Sequence, residues 1–307
     1  MIDLTRPRLE EFRHWLVQEI PCEPKEARAD LAGLSLPSLL INYMNWRDRF
    51  VPTRRRNVTT WENFMRDPRT FTSWPAINDL ARRIAAGEAL TPFLSKDIKR
   101  FGYVRPRAGK DGKRRGIEWS DKDYALNSFG FHHLHLSDRI LLSGWARRTD
   151  ALLYVSFNRE SAFFLMVGDH KSFDDGTLEK AVADSRAASG QVLKGITADP
   201  MGRADRNRLQ RHGMATTIPV GDKVVPGAMI STAGTSIFHS NHAAQIMRYL
   251  EHEEIRLDDE AHQRELFGFA NLPPPPAPDF VWRMNDCDIG ALERSTGILF
   301  ELLHWHR

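Results

Sequence analysis

Apolar residues in the first hundred positions recur mainly at helical spacing. Between positions 8 and 20 they follow an i, i+3, i+4 pattern, which predicts an amphipathic helix over Arg8 to Glu19 with one buried stripe. They are Leu9, Phe12, Trp15, Leu16 and Ile20. The pattern returns at Ile77 to Ala86, where the following Gly87 is a typical stop signal. We therefore expect residues 1–100 to form a mainly helical region.

The pattern changes after position 130. Phe131 to Leu136, Ala151 to Phe157 and Ala162 to Val167 are short, rich in β-branched and aromatic residues, and separated by polar loops. Three such segments in succession predict an antiparallel meander over about residues 131–167. The fold class we expect is α+β: a central antiparallel sheet with a helical, basic N-terminal region and C-terminal helices.

Helical spacing resumes behind the predicted sheet. It covers Asp175 to Leu193, Ser236 to Glu254 and, after the proline-rich segment 271–279, Ile289 to His304. The organisation we expect is a helical N-terminal region (1–100), an α+β core (101–270) and a proline-rich connection with a C-terminal helix (271–307).

The charge is distributed unevenly along the chain. The formal net charge is +3, but positions 47–115 hold 18 Lys and Arg against 7 Asp and Glu. A concentrated basic surface attracts a phosphate backbone through counterion release, so we expect a polyanion, most simply RNA, as the partner. The alternatives are a solvated basic face or one neutralised by the acidic remainder of the chain. The candidate backbone-binding residues are Arg54, Arg55, Arg56, Lys113, Arg114 and Arg115.

The sequence lacks the motifs that are typical of several protein classes. Cys22 and Cys287 are the two cysteines, so neither a disulfide framework nor a zinc ribbon is indicated, and both are expected to be reduced and structural. No P-loop, GxGxxG or GxSxG motif supports nucleotide-triphosphate hydrolysis or serine-hydrolase chemistry. There is no 18-residue apolar run and no signal-peptide pattern, so we expect a cytoplasmic protein without a membrane partner.

The candidate chemistry lies in a histidine cluster on the first predicted strand. Strand alternation in the sequence Phe131-His-His-Leu-His-Leu136 places His133 and His135 on one face and His132 on the other. An antiparallel meander brings the end of its third strand back towards its first strand. His170, which follows Val167-Gly-Asp169, is therefore expected to face His133 and His135.

Histidines beside carboxylates and cations suit cleavage of RNA without a metal or other cofactor. An imidazole with an ordinary pKa near 6.5 can deprotonate the attacking 2′-hydroxyl or protonate the leaving 5′-oxygen. His133 or His135, together with His170, is the expected acid and base, and Asp150 or Asp169 is expected to orient an imidazole. Lys171, Arg147 and Arg148 are expected to hold the scissile phosphate and to supply the positive charge that stabilises it.

Other interpretations of the same residues remain open. A His-x-His pair on a strand with a distant His or Asp also occurs in zinc sites. His135-Leu-Ser137 and His170-Lys-Ser172 form two His-x-Ser units, the minimal pattern of two-histidine phosphoesterases. In a further alternative, the imidazoles are half-buried sheet residues with satisfied hydrogen bonds. The protein would then be a non-catalytic nucleic-acid-binding or sensing module, or an interaction protein whose basic region docks on an acidic partner such as an antitoxin.

The segment from His133-Leu-His135-Leu, through Asp150-Ala-Leu-Leu-Tyr154, to Gly168-Asp-His170 and Phe173 resembles the core of the RelE/YafQ-like bacterial toxins. These are mRNA endoribonucleases that act on the ribosome or on free mRNA. The resemblance covers about 45 residues. It implies that His133 or His135 takes the place of the mid-sheet histidine, Asp150 that of the aspartate before the second strand, and His170 that of the terminal catalytic histidine. Phe173 would be the aromatic residue that helps to position a base.

Overall fold

The structure, a computed structural model, describes residues 6–105, 120–197 and 201–305. Ten helices lie within these ranges: α1 (Pro7–Glu19), α2 (Ala27–Ala32), α3 (Leu36–Arg47), α4 (Pro68–Thr72), α5 (Trp74–Ala86), α6 (Tyr124–Phe129), α7 (Thr177–Ala188), α8 (Arg203–Arg211), α9 (Ile237–Arg256) and α10 (Glu260–Phe269). None of these described helices combines the length and apolarity that crossing a bilayer requires.

The described strands form one four-stranded sheet and three smaller sheets. They are β1 (Cys22–Glu23), β2 (Asn57–Thr60), β3 (Tyr103–Val104), β4 (His132–His135), β5 (Leu152–Phe157), β6 (Ser161–Gly168), β7 (Thr217–Val220), β8 (Lys223–Pro226), β9 (Phe280–Asn285), β10 (Asp288–Glu293) and β11 (Ile298–Leu303). The central sheet has the order β2-β6-β5-β4, in which β4, β5 and β6 are antiparallel. The predicted α+β class and meander are confirmed.

Strand β2 is an edge strand that the sequence pattern does not predict. It pairs in parallel with β6, with Asn57 opposite Ser161 and Thr60 opposite Phe164. Its four residues are half or fully exposed, so it lacks the alternation of apolar side chains that identifies a half-buried strand. The arginines that precede it are therefore attached to the central sheet.

The central sheet separates two apolar layers. On one face, residues of the meander such as Leu134, Leu153 and Val155 pack with Ile77, Leu80 and other residues of α5 and its neighbours. On the other face, meander residues including Tyr154 and Met166 pack with α6 and α7. Strand alternation assigns His132 to the first face and His133 and His135 to the second.

A further core joins the two ends of the chain. Its buried residues come from α1 and α3, from α9 and α10, and from the C-terminal strands, and include Phe12, Leu40, Ile246, Trp282 and Ile289. Helix α1 contacts β9, and α3 contacts α9. The N-terminal helices are therefore covered by elements more than 190 residues later in the sequence.

The predicted helix over Ile289 to His304 is wrong, because this segment forms β10 and β11 of an antiparallel sheet in the order β11-β10-β9. The turn between the two strands contains Gly297 at φ +71°, a left-handed conformation that suits glycine. At Gly290 a Cβ would lie 2.4 Å from the carbonyl oxygen of Phe300, so the close strand pairing needs a glycine there. Here pairing with β9 decides the secondary structure of an apolar run that is also compatible with a helix.

Candidate active site: a histidine cleft

The register of the meander brings three histidines together. His135 pairs with Leu152 and Leu152 with Gly168, so the end of β6 lies two strands from His135, and His170 follows within two residues. The ring centroids of His133, His135 and His170 lie 5.7–6.4 Å from one another. The predicted convergence of these three residues is confirmed.

The turn that carries His170 is held by Asp169. The Asp169 carboxylate accepts hydrogen bonds from the backbone N–H groups of Lys171 (2.8 Å) and Ser172 (3.1 Å). In return, the Asp169 N–H donates a hydrogen bond to Ser172 Oγ (3.1 Å). This capping box satisfies the free N–H groups at the start of the short 3-10 helix His170–Phe173. A Cβ on Gly168 would lie 2.7 Å from Ser172 Oγ, so the preceding residue must be small.

A carboxylate outside the predicted set binds His133. The Nδ1 atom of His133 lies 3.1 Å from Oδ2 of Asp123. Asp123 is also the N-cap of α6, because its side chain accepts a hydrogen bond from the Leu126 N–H (3.0 Å). The six residues of α6 rise about 9 Å along the helix axis. The chain then reverses direction, and the three steps from Gly130 to His133 cover about 10 Å, which brings His133 back to the start of the helix.

The ion pair changes the protonation of both partners. Burial opposes the charged form of Asp123, but the charge and hydrogen bond of His133 and the Leu126 N–H outweigh it and lower the pKa of Asp123 to about 2. Burial likewise disfavours the imidazolium of His133, yet the adjacent Asp123 carboxylate raises the pKa of His133 above 6.5. His133 and Asp123 thus form a half-buried pair in which each partner favours the charged form of the other.

The other two histidines shift in the opposite direction. Burial and the positive charges of Arg148 and His133 lower the pKa of His135 to about 4. Burial and His133 also lower the pKa of His170, although Asp150 and Asp169 act against this shift. His135 Nδ1 lies 3.4 Å from the carbonyl oxygen of Thr149, which favours the neutral tautomer with hydrogen on Nδ1. Three adjacent imidazoles therefore differ in their charge near neutral pH.

His135 and His170 line an open cleft of about 540 Å³, which we call the histidine cleft. Its other lining residues are Ser95, Lys96, Asp97, Arg148, Thr149 and Asp150. Arg148 is held in place because its Nη1 donates to the carbonyl oxygen of Leu94 (3.0 Å) and its guanidinium lies over the Trp145 ring. Two cations, Arg148 and Lys96, therefore border the imidazoles.

Other predicted site residues near the cleft take different positions. Asp150 is exposed at the cleft, whereas the Asp169 carboxylate is occupied by the capping box. Lys171 is exposed on the same turn, and Arg147 is 60% exposed with Asp138 at 3.9 Å. Phe173 is half-buried, with its ring 5.5 Å from that of His133. Asp123, in place of Asp150 or Asp169, is the carboxylate bound to an imidazole.

The predicted backbone-binding arginines lie away from the histidine cleft. Arg54 to Arg56 precede β2, at the edge of the central sheet opposite β4. Arg56 is buried, and its guanidinium donates to the carbonyl oxygens of Asn158, Pro52 and Arg54. Arg55 is exposed. Lys113, Arg114 and Arg115 lie outside the described residues.

One group of potential metal ligands lies away from the histidine cleft. Among the described residues, the group of three side chains whose ligand atoms all lie within 4.8 Å of one another is Asp288, Glu301 and His304. Asp288 is already bound by the Arg159 guanidinium at 2.6 Å and by the Trp305 N–H.

No protein-family model, curated protein or solved structure matches this chain. The likeness to the RelE/YafQ-like toxins rests on the residues quoted above.

Proposed function

We propose that this protein is an endoribonuclease that cleaves RNA by metal-independent acid and base catalysis in the histidine cleft. The observation that carries the proposal is the convergence of His133, His135 and His170 within 5.7–6.4 Å, with pKa values shifted in opposite directions. Within the pair that lines the cleft, the pKa of His135 falls to about 4, whereas the Asp150 carboxylate opposes the lowering of the His170 pKa, so the two imidazoles sit in different environments, as an acid and base pair requires.

His135 is the general base in this mechanism. Its pKa of about 4 leaves it neutral at pH 7, and the Thr149 carbonyl directs hydrogen to Nδ1, so that Nε2 is free to accept the proton of a 2′-hydroxyl. His170 is exposed at the cleft and is the general acid that protonates the leaving 5′-oxygen. Burial and the charge of His133 lower the pKa of His170, and the Asp150 carboxylate opposes this shift, so the protonated form that this role requires is populated in the acidic part of the pH range.

Positive charge around the cleft supports the transition state. The phosphorane formed by attack of the 2′-oxygen carries extra negative charge on its non-bridging oxygens. Arg148 and Lys96 line the cleft and would hold these oxygens, while the half-buried imidazolium of His133 contributes a fixed charge behind His135 and His170. His133 is thus a positioning and electrostatic residue, with Asp123 keeping it charged.

The RelE/YafQ-like resemblance is compatible with this assignment, since it places a functional histidine at His133 or His135 and the terminal catalytic histidine at His170. It extends the proposal to the biology: a toxin or antiviral effector that arrests growth by cutting RNA, free or on the ribosome, and that an acidic protein partner such as an antitoxin restrains.

The test uses purified protein and a short labelled RNA in buffer with EDTA. Attack by the 2′-hydroxyl leaves a 2′,3′-cyclic phosphate and a 5′-hydroxyl end, and an RNA with 2′-deoxyribose at the cleaved position stays intact. His135→Ala and His170→Ala should each lower the rate roughly 10²- to 10⁴-fold. His212→Ala is the matched control, because His212 is an exposed histidine bound to its own helix at the Arg208 carbonyl.

Three results contradict the proposal. Equal cleavage by wild type and both cleft variants removes the histidines from the chemistry. Salt-sensitive RNA binding without cleavage by the wild type favours a nucleic-acid-binding module, and absence of both favours an interaction protein. Growth arrest on induced expression, lost in His170→Ala, tests the proposed toxicity separately.

A further inference from the structure

A second cavity lies at the other end of the central sheet. It has a volume of about 320 Å³ and lies between the end of α3, the β5–β6 turn and the β9–β10 turn. The eight residues of β6, roughly 24 Å of strand, separate the β5–β6 turn from the turn that carries His170. We call it the arginine cavity, and its lining includes Arg47, Phe50, Arg54, Arg56, Phe157, Arg159 and Trp305.

Two of the four arginines lack a carboxylate partner. Arg47 pairs with Asp286, and Arg159 with Asp288. For Arg54 and Arg56, no ion pair with a carboxylate is found among residues 6–105, 120–197 and 201–305. Arg56 is only 6% exposed, and the hydrogen bonds found for it within those ranges go to backbone carbonyls. Burial and then the nearby charge of Arg54 lower the pKa of Arg56 to about 10.

Arg54 and Arg56 bring two positive charges to the wall of one cavity. Two like charges near each other in a partly desolvated site repel, and an anion bound between them removes the repulsion and gains charge-assisted hydrogen bonds. The acidic side chains at the cavity are committed elsewhere or exposed: Asp286 and Asp288 bind arginines, Asp48 binds His239 at 2.9 Å, and Glu160 lies exposed.

The remaining walls are aromatic. The Arg56 guanidinium lies 5.4 Å from the centre of the Phe157 ring, and His132 meets that ring edge-on at 5.3 Å. Phe50 lies beneath Arg47 at 5.0 Å, and Trp305 packs on His242 at 4.8 Å. A cavity with flat apolar walls and a few convergent polar groups fits a small planar ligand, and its volume lies at the lower end of the usual 300–1,000 Å³ or so.

We propose that the arginine cavity binds a mononucleotide, with its base between the aromatic walls and its phosphate on Arg54 and Arg56. This site is separate from the histidine cleft, and neither Arg54 nor Arg56 lines that cleft. A planar base uses the Phe50, Phe157 and Trp305 surfaces, and the phosphate supplies the anion that the two arginines lack.

Calorimetric titration of the whole protein with AMP, adenosine and inorganic phosphate tests this proposal. AMP should bind, and adenosine and phosphate should each bind at least about tenfold more weakly, because each offers half of the contacts. Arg54→Ala should weaken AMP binding at least about tenfold. Arg54 is half-buried, so this variant is preferable to a change at buried Arg56. Arg55→Ala is the matched control, since Arg55 is the exposed neighbour that does not line the cavity.

Each other outcome overturns part or all of the proposal. Phosphate binding as tightly as AMP would mean that the aromatic walls do not contribute, and adenosine binding as tightly would exclude the anion role of the arginines. AMP binding that is unchanged in folded Arg54→Ala, with folding verified by thermal unfolding, or absent from the wild type, refutes the site. AMP binding that is lost in His170→Ala would place the nucleotide in the histidine cleft instead.

Discussion

The Nδ1 atom of His133 lies 3.1 Å from the Asp123 carboxylate, one layer behind the two imidazoles that line the histidine cleft. This ion pair keeps a positive charge next to His135 and His170 and so lowers the pKa of both. Burial is the largest cause of both shifts, and His133, which does not line the cleft, adds to it.

The rate of RNA cleavage should depend on pH as a bell with its optimum below neutrality. The base His135 must be deprotonated, so the rate should rise through a pH of about 4. The acid His170 must be protonated, so the rate should fall through a pH below 6.5, the ordinary histidine value. Measurement of kcat/KM from pH 3.5 to 8.5 checks this, and an optimum above pH 7 would contradict the assignment of the acid.

Asp123→Asn should move both limbs of that profile to higher pH. Without the carboxylate, His133 loses the interaction that raises its pKa and becomes neutral near pH 7, so it no longer repels protons on its neighbours. Asparagine is as good an N-cap as aspartate, so α6 keeps its start. Asp123→Ala, which loses both the cap and the charge, separates the two roles. Identical profiles for wild type and Asp123→Asn would exclude the electrostatic role of His133.

The same substitution should lower the free energy of unfolding in a limited pH range. The pKa of Asp123 is depressed below 3.8, so its contribution is present above that value and lost as the pH falls towards about 2. The pKa of His133 is raised above 6.5, so its contribution is present below 6.5 and lost as the pH rises through the raised value. Urea unfolding should show the largest difference, on the order of 3 kcal/mol, between these limits. If the difference in free energy of unfolding between wild type and Asp123→Asn increased from pH 6 to pH 9, the prediction would be contradicted.

Asp169 should act through its capping hydrogen bonds and not through its charge. Asp169→Asn keeps an acceptor for the Lys171 and Ser172 N–H groups and should retain most of the cleavage activity. Asp169→Ala loses the cap, costs about 1 kcal/mol of stability and should loosen the turn that carries His170. Parallel measurement of kcat and thermal unfolding distinguishes the two variants. Equal loss of activity in both would instead give the carboxylate charge a direct role.

The central part of the fold is predictable because its information is local. Short apolar runs predict β5 and β6, and the short loop between them makes their pairing antiparallel. With β4 on the other side of β5, this register carries His170 to His133 and His135. The partner of His133 is harder to infer. Asp123 precedes a helix that is only six residues long, and its approach to His133 depends on helix length and strand length together.

The sequence-based predictions are wrong where contacts with distant segments of the chain determine the structure. The last apolar run becomes β10 and β11 because β9 offers a strand to pair with, which its own pattern does not reveal. The cluster of arginines at 54–56 looks like a free basic arm, whereas Arg56 is buried by contacts with residues a hundred positions later. A count of charges gives no information on which cations fold into the interior.

The core that unites α1 and α3 with α9 and β9–β11 has a consequence for synthesis of the protein. The first helices leave the ribosome before their partners are translated: α3 contacts α9, and α1 contacts β9, so the side of α1 that faces β9 stays uncovered until residues beyond position 280 emerge. Folding of this part of the molecule is therefore a late event that follows completion of almost the whole chain. A product that stops before β9 would expose Phe12, Leu16 and Leu40 to the chaperones and proteases of the cell.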